Sequence, residues 1–288
     1  MTTFSVIIPH RDSIRTLVRA VNSVPDLPNV EVIVVDNSLK AINKDDLKRI
    51  NRKFSLFFSS PEKGAGCARN IGMQNAKGQF LLFMDADDFF SEDISSVLYT
   101  FEENNYYKYD ITFFRCRGAI SEDLSPCSRG SQYMEYFDKY RNEKSSSNLD
   151  YIRFYYTVPW GKIYKKSFLD EYKIKFDEVP ASNDIMFTTK AAVKANNMCV
   201  DDKVIYVVTV SSSSLTRTKS SRNLRSRFSV YIVHNAYLKQ NGHSKYCIDL
   251  IRPLANLFKI SVKDGIWGIT QLFKKNANIF DAVYKYIK

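Results

Sequence analysis

The sequence predicts an α/β protein: a mainly parallel central sheet flanked by helices, with a helical region after it. Two observations carry the prediction. Short continuous apolar runs, of the kind strands need when both faces are covered, alternate with helical stretches at short spacing over residues 4–90. Three of those runs stop at polar clusters: Pro9-His10-Arg11-Asp12, Asp36-Asn37-Ser38 and Asp85-Ala86-Asp87-Asp88. Ligands in such sheets sit outside the carboxyl ends of the strands, so the coincidence points to one site.

The first strand covers residues 4–9 and stops at proline. Ser13 or Asp12 then caps a helix through Asn22, with Ile14, Leu17, Val18 and Val21 on one face. Pro25 and Pro28 mark the turn into a second strand at 30–35. A charged helix over 43–52 and a third strand at 54–58 follow. Gly64, Gly66 and Gly72 open the next helix, and Gly78 closes it. Arg69 stands where a GxGxxG fingerprint would need its third glycine, and no Gly-Lys-Ser/Thr follows, so neither standard phosphate loop is present. Taken alone, these glycines also fit a plain tight turn into a helix.

Residues 80–84 form an apolar strand that runs straight into three carboxylates. Carboxylates cannot stay unpaired in a dry layer, so the strand ends there, and clustered oxygen donors suit a hard divalent cation. An acid-rich strand end followed by a helix cap at Ser91 is the bland alternative. A helix over 91–104 and a strand over 109–115 come next, then a polar stretch, 118–150, that reads as a mobile loop over the site. Pattern returns at 155–164. A helix starts near Ser182 and ends near Asn196, a strand covers 204–210, and the polar stretch Ser211–Arg217 follows. From Arg222 onward the chain reads as helical and basic.

Composition bounds the function. Hydrophobic residues at 44% and aromatics at 14% support a real core, and a formal net charge of +11 fits an anionic partner. The five cysteines, Cys67, Cys116, Cys127, Cys199 and Cys247, show neither CxxC nor metal-ligand spacing. They read as reduced thiols of a cytoplasmic protein. A strand within a few residues of Met1 leaves no room for a signal peptide, and no apolar run reaches the ~18–20 residues of a spanning helix. In the basic C-terminal region, Arg222, Arg225, Arg227, Lys274, Lys275, Lys285 and Lys288 recur among Leu272, Phe273, Ile279, Phe280, Val283, Tyr284 and Ile287. That region is expected either to pack as a helical appendage with a solvated face or to touch an anionic membrane surface on the cytoplasmic side.

Six motifs stand in an order and spacing that resembles the family 2 glycosyltransferases of bacterial surface-polysaccharide type, inverting enzymes of the GT-A fold. They are residues 4–9, Val34-Val35-Asp36-Asn37-Ser38, Gly66 with Ala68-Arg69-Asn70-Ile71-Gly72, Asp85-Ala86-Asp87-Asp88, Trp160-Gly161-Lys162-Ile163-Tyr164 and Asn183-Asp184-Ile185-Met186-Phe187. The resemblance spans residues 3–217. It implies a nucleotide-sugar donor, most simply a UDP-sugar, a glycan or lipid-linked acceptor, Mn2+ or Mg2+, and a single displacement at the anomeric carbon. By the same resemblance Asp87 ligates the metal, Asp85 faces the donor ribose, and Ala86 lies between them in the DxD motif. Pro9, Arg11, Asp12, Asp36 and Asn37 line the base and ribose pocket, and Arg69 approaches the uracil or phosphate. Asp184 is the base that deprotonates the acceptor hydroxyl, with Asn183 beside it and Trp160 stacked on a sugar. Two positions depart from the pattern: Asn37 stands where an Asp is common, and Asn183 where a Glu is common.

The resemblance divides the chain into a catalytic domain, 1–217, and a basic helical region, 218–288. Within the first, 1–115 would bind the nucleotide sugar and 116–217 would face the acceptor. His10 lies at a strand end within reach of a donor, whereas His234 and His243 are expected at the surface of the appendage. Two other functions remain compatible with the residues. A nucleotidyltransferase would share the strand-end acids but release pyrophosphate, and a basic nucleic-acid-binding module would use the charge and tyrosines without a recognisable motif.

Overall fold

Strands with apolar residues on both faces must be covered on both sides, and the first strands are. The computed structural model describes residues 2–40, 42, 44–211 and 220–279. In it β1 (Phe4–His10), β2 (Val30–Asp36), β3 (Ser55–Phe58) and β4 (Phe80–Phe83) run parallel in the order β3-β2-β1-β4. Every residue of β1 and β4 is buried. The crossovers are α1 (Ile14–Asn22), the single turn α2 (Lys44–Leu47) and α3 (Gly64–Asn75). The helix expected over 43–52 thus shrinks to one turn. Ser13 occupies the N-cap position of α1, but its hydroxyl pairs with the Thr16 hydroxyl (2.8 Å) and caps nothing. Asp12, at φ 51, accepts the Leu39 N–H instead (3.0 Å).

Past β4 the chain adds β5 (Phe89–Phe90), α4 (Asp93–Tyr99), β6 (Ile111–Ile120), β7 (Pro126–Cys127), α5 (Ser131–Asn142), α6 (Ser146–Tyr155), β8 (Lys162–Lys165), α7 (Lys166–Glu171), α8 (Ile185–Lys194) and β9 (Met198–Val210). The sheet continues as β4-β8-β6-β9-β5. Here it is mixed: β8 is antiparallel to both β4 and β6, β6 and β9 are parallel, and β5 and β7 pair antiparallel with β9 and β6. The expectation of a mainly parallel sheet therefore describes the half that ends at β4.

Three stretches differ from expectation for identifiable reasons. Residues 118–150 hold the end of β6, then β7, α5 and the start of α6, not a mobile loop. On α5, Tyr133, Met134, Tyr136, Phe137 and Tyr140 are spaced helically, but only Phe137 is fully buried, so the face stays half wet and the period is faint. Ser145, in the serine run, caps α6 by accepting the Asn148 N–H. Strands β6 and β9 are both longer than expected because their pairing passes through an irregularity at Phe114–Cys116. There Arg115 bonds Asp202 (2.6 Å) and Asp138 (2.8 Å), and this polar crossing masks the strand pattern.

The core is aromatic. Phe83, Tyr164, Phe176 and Phe187 meet between the sheet and α8, with Phe176 and Phe187 stacked at 3.8 Å. The C-terminal helices join this body through α9 (Ser221–Gln240). Val230 packs against Ile185 and Met186 of α8, while Leu238 meets Phe154 and Ala192. On another side, Phe228 and Ile232 of α9 meet Leu250, Leu254 and Leu257. His234 is 1% exposed, contrary to the surface position expected of it, because α9 is covered on several sides. His243 is half-buried on the Phe154 ring (4.6 Å). All five cysteines are free thiols. Among the described residues no helix is long and apolar enough to cross a membrane. The boundary expected at 217/218, the stretch Ser212–Arg217, and Phe280, Val283, Tyr284, Lys285, Ile287 and Lys288 lie outside the described residues.

Candidate active site

Because β1, β2 and β4 are parallel, His10, Asp36 and the acids after Phe83 emerge at one edge of the sheet. The strand order reverses between β1 and β4, and such a switch point opens a crevice between neighbouring strand ends. On the β2 side, Asp36 and Asn37 are buried. Asp36 Oδ1 accepts from His10 Nδ1 (2.9 Å), the Ser38 hydroxyl (2.6 Å) and the Ser38 N–H (3.1 Å). The Ser13 N–H donates to His10 Nε2 (3.2 Å), so the imidazole proton sits on Nδ1 and points at Asp36. His10 therefore ties the end of β1 to Asp36 at the end of β2. Pro9 is buried beside it, while Arg11 and Asp12 stand at the rim, exposed.

On the β4 side the acids form a turn closed by the Asp88 N–H to the Asp85 carbonyl (3.0 Å). Asp85, Asp87 and Asp88 bring ligand oxygens within 4.8 Å of one another. They are not equivalent. Asp88 is buried, and β9 occupies both its oxygens: the Thr209 N–H at 2.6 Å and the Tyr206 hydroxyl at 2.7 Å. Tyr206 also accepts the Asp85 N–H (3.1 Å), and the Thr209 hydroxyl donates to the Asp87 carbonyl (2.7 Å). Asp85 is half-buried and bound to the Arg69 guanidinium. Asp87 points outward, yet the crowding of protein around its carboxyl, and then the charge of Asp85, push it up to about 6. Arg19 and Arg129 offset part of that; Arg19 also donates to the Asp87 carbonyl (2.5 Å) and the Ser121 carbonyl (2.9 Å).

Arg69 links the two halves of the site. It is buried in α3, lies 5.3 Å over the Phe176 ring, and donates to Asn183 Oδ1 (2.7 Å) as well as to Asp85. Gly66, one turn earlier, lets the 177–183 segment approach: a Cβ there would stand 2.1 Å from the Asp177 carbonyl oxygen and 3.0 Å from Asn183 Cβ. Asp184 follows at the N-cap position of α8 without capping it. Burial raises the Asp184 carboxyl above its ordinary range, Arg69 pulls it back, and Asp85 raises it further, so these groups share one electrostatic environment. Lys162 contributes to the same field from β8. Its ammonium is buried, donates to the Tyr156 (2.8 Å) and Val158 carbonyls, and lies 3.7 Å over the Tyr156 ring. Burial lowers its pKa well below the usual lysine value.

Three carboxylates held this close, with Asp87 and Asp88 both pushed up first by burial and then by the neighbouring acids, are a donor set that fits a hard divalent cation. A family model described as glycosyl transferase family 2 matches residues 5–172. The chain belongs to that family. Staphylococcus aureus TarS, a poly(ribitol-phosphate) beta-N-acetylglucosaminyltransferase, is 27% identical over 218 residues, 73% of this chain and 36% of TarS. A poly(ribitol-phosphate) beta-glucosyltransferase of Bacillus spizizenii is 25% identical over 187 residues, 62% of this chain and 27% of that protein. The chain thus spans about a third of these relatives. A crystal structure of S. aureus TarS residues 1–349 with UDP superposes at a TM-score of 0.63 with 22% identity, covering 87% of this chain and 71% of that one. A Pyrobaculum calidifontis mannosyltransferase with GDP-Man and Mn2+ gives 0.56 with 14% identity, covering 94% and 75%. These likenesses establish the shared glycosyltransferase fold.

Family membership leaves the nucleotidyltransferase and nucleic-acid readings without support. The structure gathers Asp85, Asp87, Arg69, Asn183 and Asp184 around one edge. Trp160 needs correction: it is 4% exposed, with its ring stacked flat on Tyr206 at 4.8 Å and Tyr133 and Tyr156 against it. A side chain so covered offers a sugar little face; it props Tyr206, which holds the acid turn. Tyr206, Thr209 and Arg19 have no motif of their own, Lys162 stands in the 160–164 motif without a role read for it, and the unbroken burial of Ile205–Thr209 leaves no alternation that would single out Tyr206. We predict that Tyr206→Phe lowers stability by about 1–3 kcal/mol, since buried Asp88 loses a donor. It should also weaken Mn2+ binding by loosening Asp85. Thermal melts with Mn2+ titration check this, and unchanged values for both would show that Tyr206 does not hold the turn.

Proposed function

We propose that this chain is a metal-dependent, inverting glycosyltransferase. It moves a hexosyl or N-acetylhexosaminyl group from a UDP-sugar to a hydroxyl of a bacterial cell-surface polymer, in the cytoplasm. The observation that carries the reading is the Arg69 bridge, which ties the acids after β4 to Asn183 and Asp184 at one edge of the sheet. Residues 1–217 would form the catalytic domain, with the base and ribose over Pro9, Arg11, Asp12, Asp36 and Asn37. Asp85 would face the ribose, and Asp87, with Asp85, would hold Mn2+ or Mg2+. The cation, when bound, supplies positive charge for the leaving nucleoside diphosphate. Arg69 fixes the Asp85 side chain and orients Asn183. Asp184 takes the proton of the acceptor hydroxyl as its oxygen attacks the anomeric carbon from the side opposite the leaving group.

The names of the relatives with poly(ribitol-phosphate) acceptors, together with the +11 charge and the arginines near Asp87, favour an anionic, phosphate-bearing acceptor. The test is a thermal-shift screen of UDP-, GDP- and dTDP-sugars with Mn2+ and with a chelator, followed by product analysis. A rise for UDP-sugars that needs the metal, with UDP as product, is the expected result. No shift with any nucleotide sugar, or release of pyrophosphate, would sink the proposal.

A further inference from the structure

The last two described helices, α10 (Ile251–Ile260) and α11 (Val262–Lys274), form a hairpin at Ser261. Its inner side is accounted for by the contacts of Leu254 and Leu257 with α9. Its outer side is not. On α11, Val262, Ile266, Ile269 and Phe273 recur at steps of four, three and four, so they line one face of the helix. That face is bare: Val262 is 67% exposed, Ile266 54% and Phe273 82%. Phe258 of α10 lies over Gly265, where a Cβ would come within 2.2 Å of its ring. Gly265 falls between Val262 and Ile269 on the helix surface, so the exposed Phe258 ring continues the stripe.

The charges around the stripe have one sign. Lys259, Lys263, Lys274 and Lys275 are all exposed along the hairpin. The single acid of residues 251–279, Asp264, is buried and spent on the Ser221 (2.6 Å) and Ser261 (2.6 Å) hydroxyls and on Arg225. Pairing two copies through this face would place lysines opposite lysines, with no carboxylate there to neutralise them. An anionic lipid surface supplies both what the stripe and what the lysines lack. At 13 residues, α11 is about 20 Å long, too short to span a bilayer and long enough to lie in its interface.

We propose that the outer face of α11, together with Phe258, docks on the interface of an anionic lipid bilayer. This goes beyond the transfer reaction and does not rest on it. The test is flotation of the full chain with phosphatidylcholine vesicles, with and without phosphatidylglycerol, at low and high salt. The wild type should float with the anionic vesicles at low salt and lose most of that binding at high salt. Ile266→Ser with Phe273→Ser should lower the partition coefficient about tenfold or more. Lys263→Gln with Lys274→Gln should lower it about tenfold on anionic vesicles only. Melting temperatures should stay unchanged, because the altered side chains face outward. Absence of flotation at low salt, or equal flotation of the Ser variant, overturns the proposal. So does a dimer in light scattering that the Ser variant dissociates, in a protein that does not float; the face would then belong to a second copy.

Discussion

Replacing Asp184 by asparagine should reduce sugar transfer by about 10²–10⁴-fold, the usual contribution of a positioned general base, and leave donor binding intact. The split follows from where the residue sits. Asp184 is outside the acid turn and its side chain caps no helix N–H, so asparagine in its place leaves the acid turn and the start of α8 unaltered. What it contributes is a carboxylate in the field of Arg69 and Asp85. Its pH behaviour has a definite sign. A base acts only when deprotonated, and burial raises this carboxyl above the ordinary value of about 3.9. The rate should therefore climb with pH through a limb above the ordinary carboxylate range, and level off once Asp184 is ionised. Arg69 pulls the pKa down, so Arg69→Met should move the same limb to higher pH. Rate measurements at saturating donor across pH, alongside donor titration, check all three outcomes. Near-normal turnover in Asp184→Asn would assign the proton to another group.

How much of this was legible in the sequence depended on how local the physics was. The acids after β4 could be read because an apolar run and unpaired carboxylates cannot share a dry layer, a rule that works along a few consecutive residues. The three polar strand ends were legible for the same reason, and their meeting at one edge follows from parallel order. The partner of Arg69 was not. Its bonds reach Asp85 and Asn183, across 16 and 114 positions of chain, and only the resemblance to the family put Asn183 and Asp184 at the site, on its acceptor side. Lys162 stood in the 160–164 motif without a role and Tyr206 escaped, because a buried lysine over a tyrosine ring, or a tyrosine bonding two acids, leaves no periodic mark. The helices α5 and α6 escaped because tyrosines bury their rings and wet their hydroxyls, which blurs the contrast that helical periodicity needs. Trp160 carries the same ambiguity in reverse: a tryptophan in a site motif serves the residue behind it as readily as a sugar in front.

Asp87→Ala should abolish metal-dependent donor binding, and it should do so without lowering the melting temperature of the metal-free protein at neutral pH. The first part follows from the inequality of the three acids. Asp88 has both oxygens occupied by β9 and Asp85 is engaged by Arg69, so Asp87 is the carboxylate with most freedom to take a cation. The second part is a linkage argument. The folded state raises Asp87 to about 6, first through burial and then through Asp85. A carboxyl whose folded pKa is raised contributes stability when protonated, below its unfolded value, and loses that contribution as pH rises through about 6. Above that pH the wild-type protein in chelator carries acids that Arg69, Arg19 and Arg129 compensate only in part, a strain that Asp87→Ala relieves. Below it the advantage of the variant should disappear. Melts of both proteins in chelator on either side of that pH, repeated with Mn2+ and a UDP-sugar, separate a residue that holds a cation from one that holds the fold. A variant that melts lower than wild type in chelator above that pH would make Asp87 a structural residue. A variant that still shifts with Mn2+ would transfer the ligand role to Asp85 and Asp88, and the bonds from Tyr206 and Thr209 would then have to break to release an oxygen.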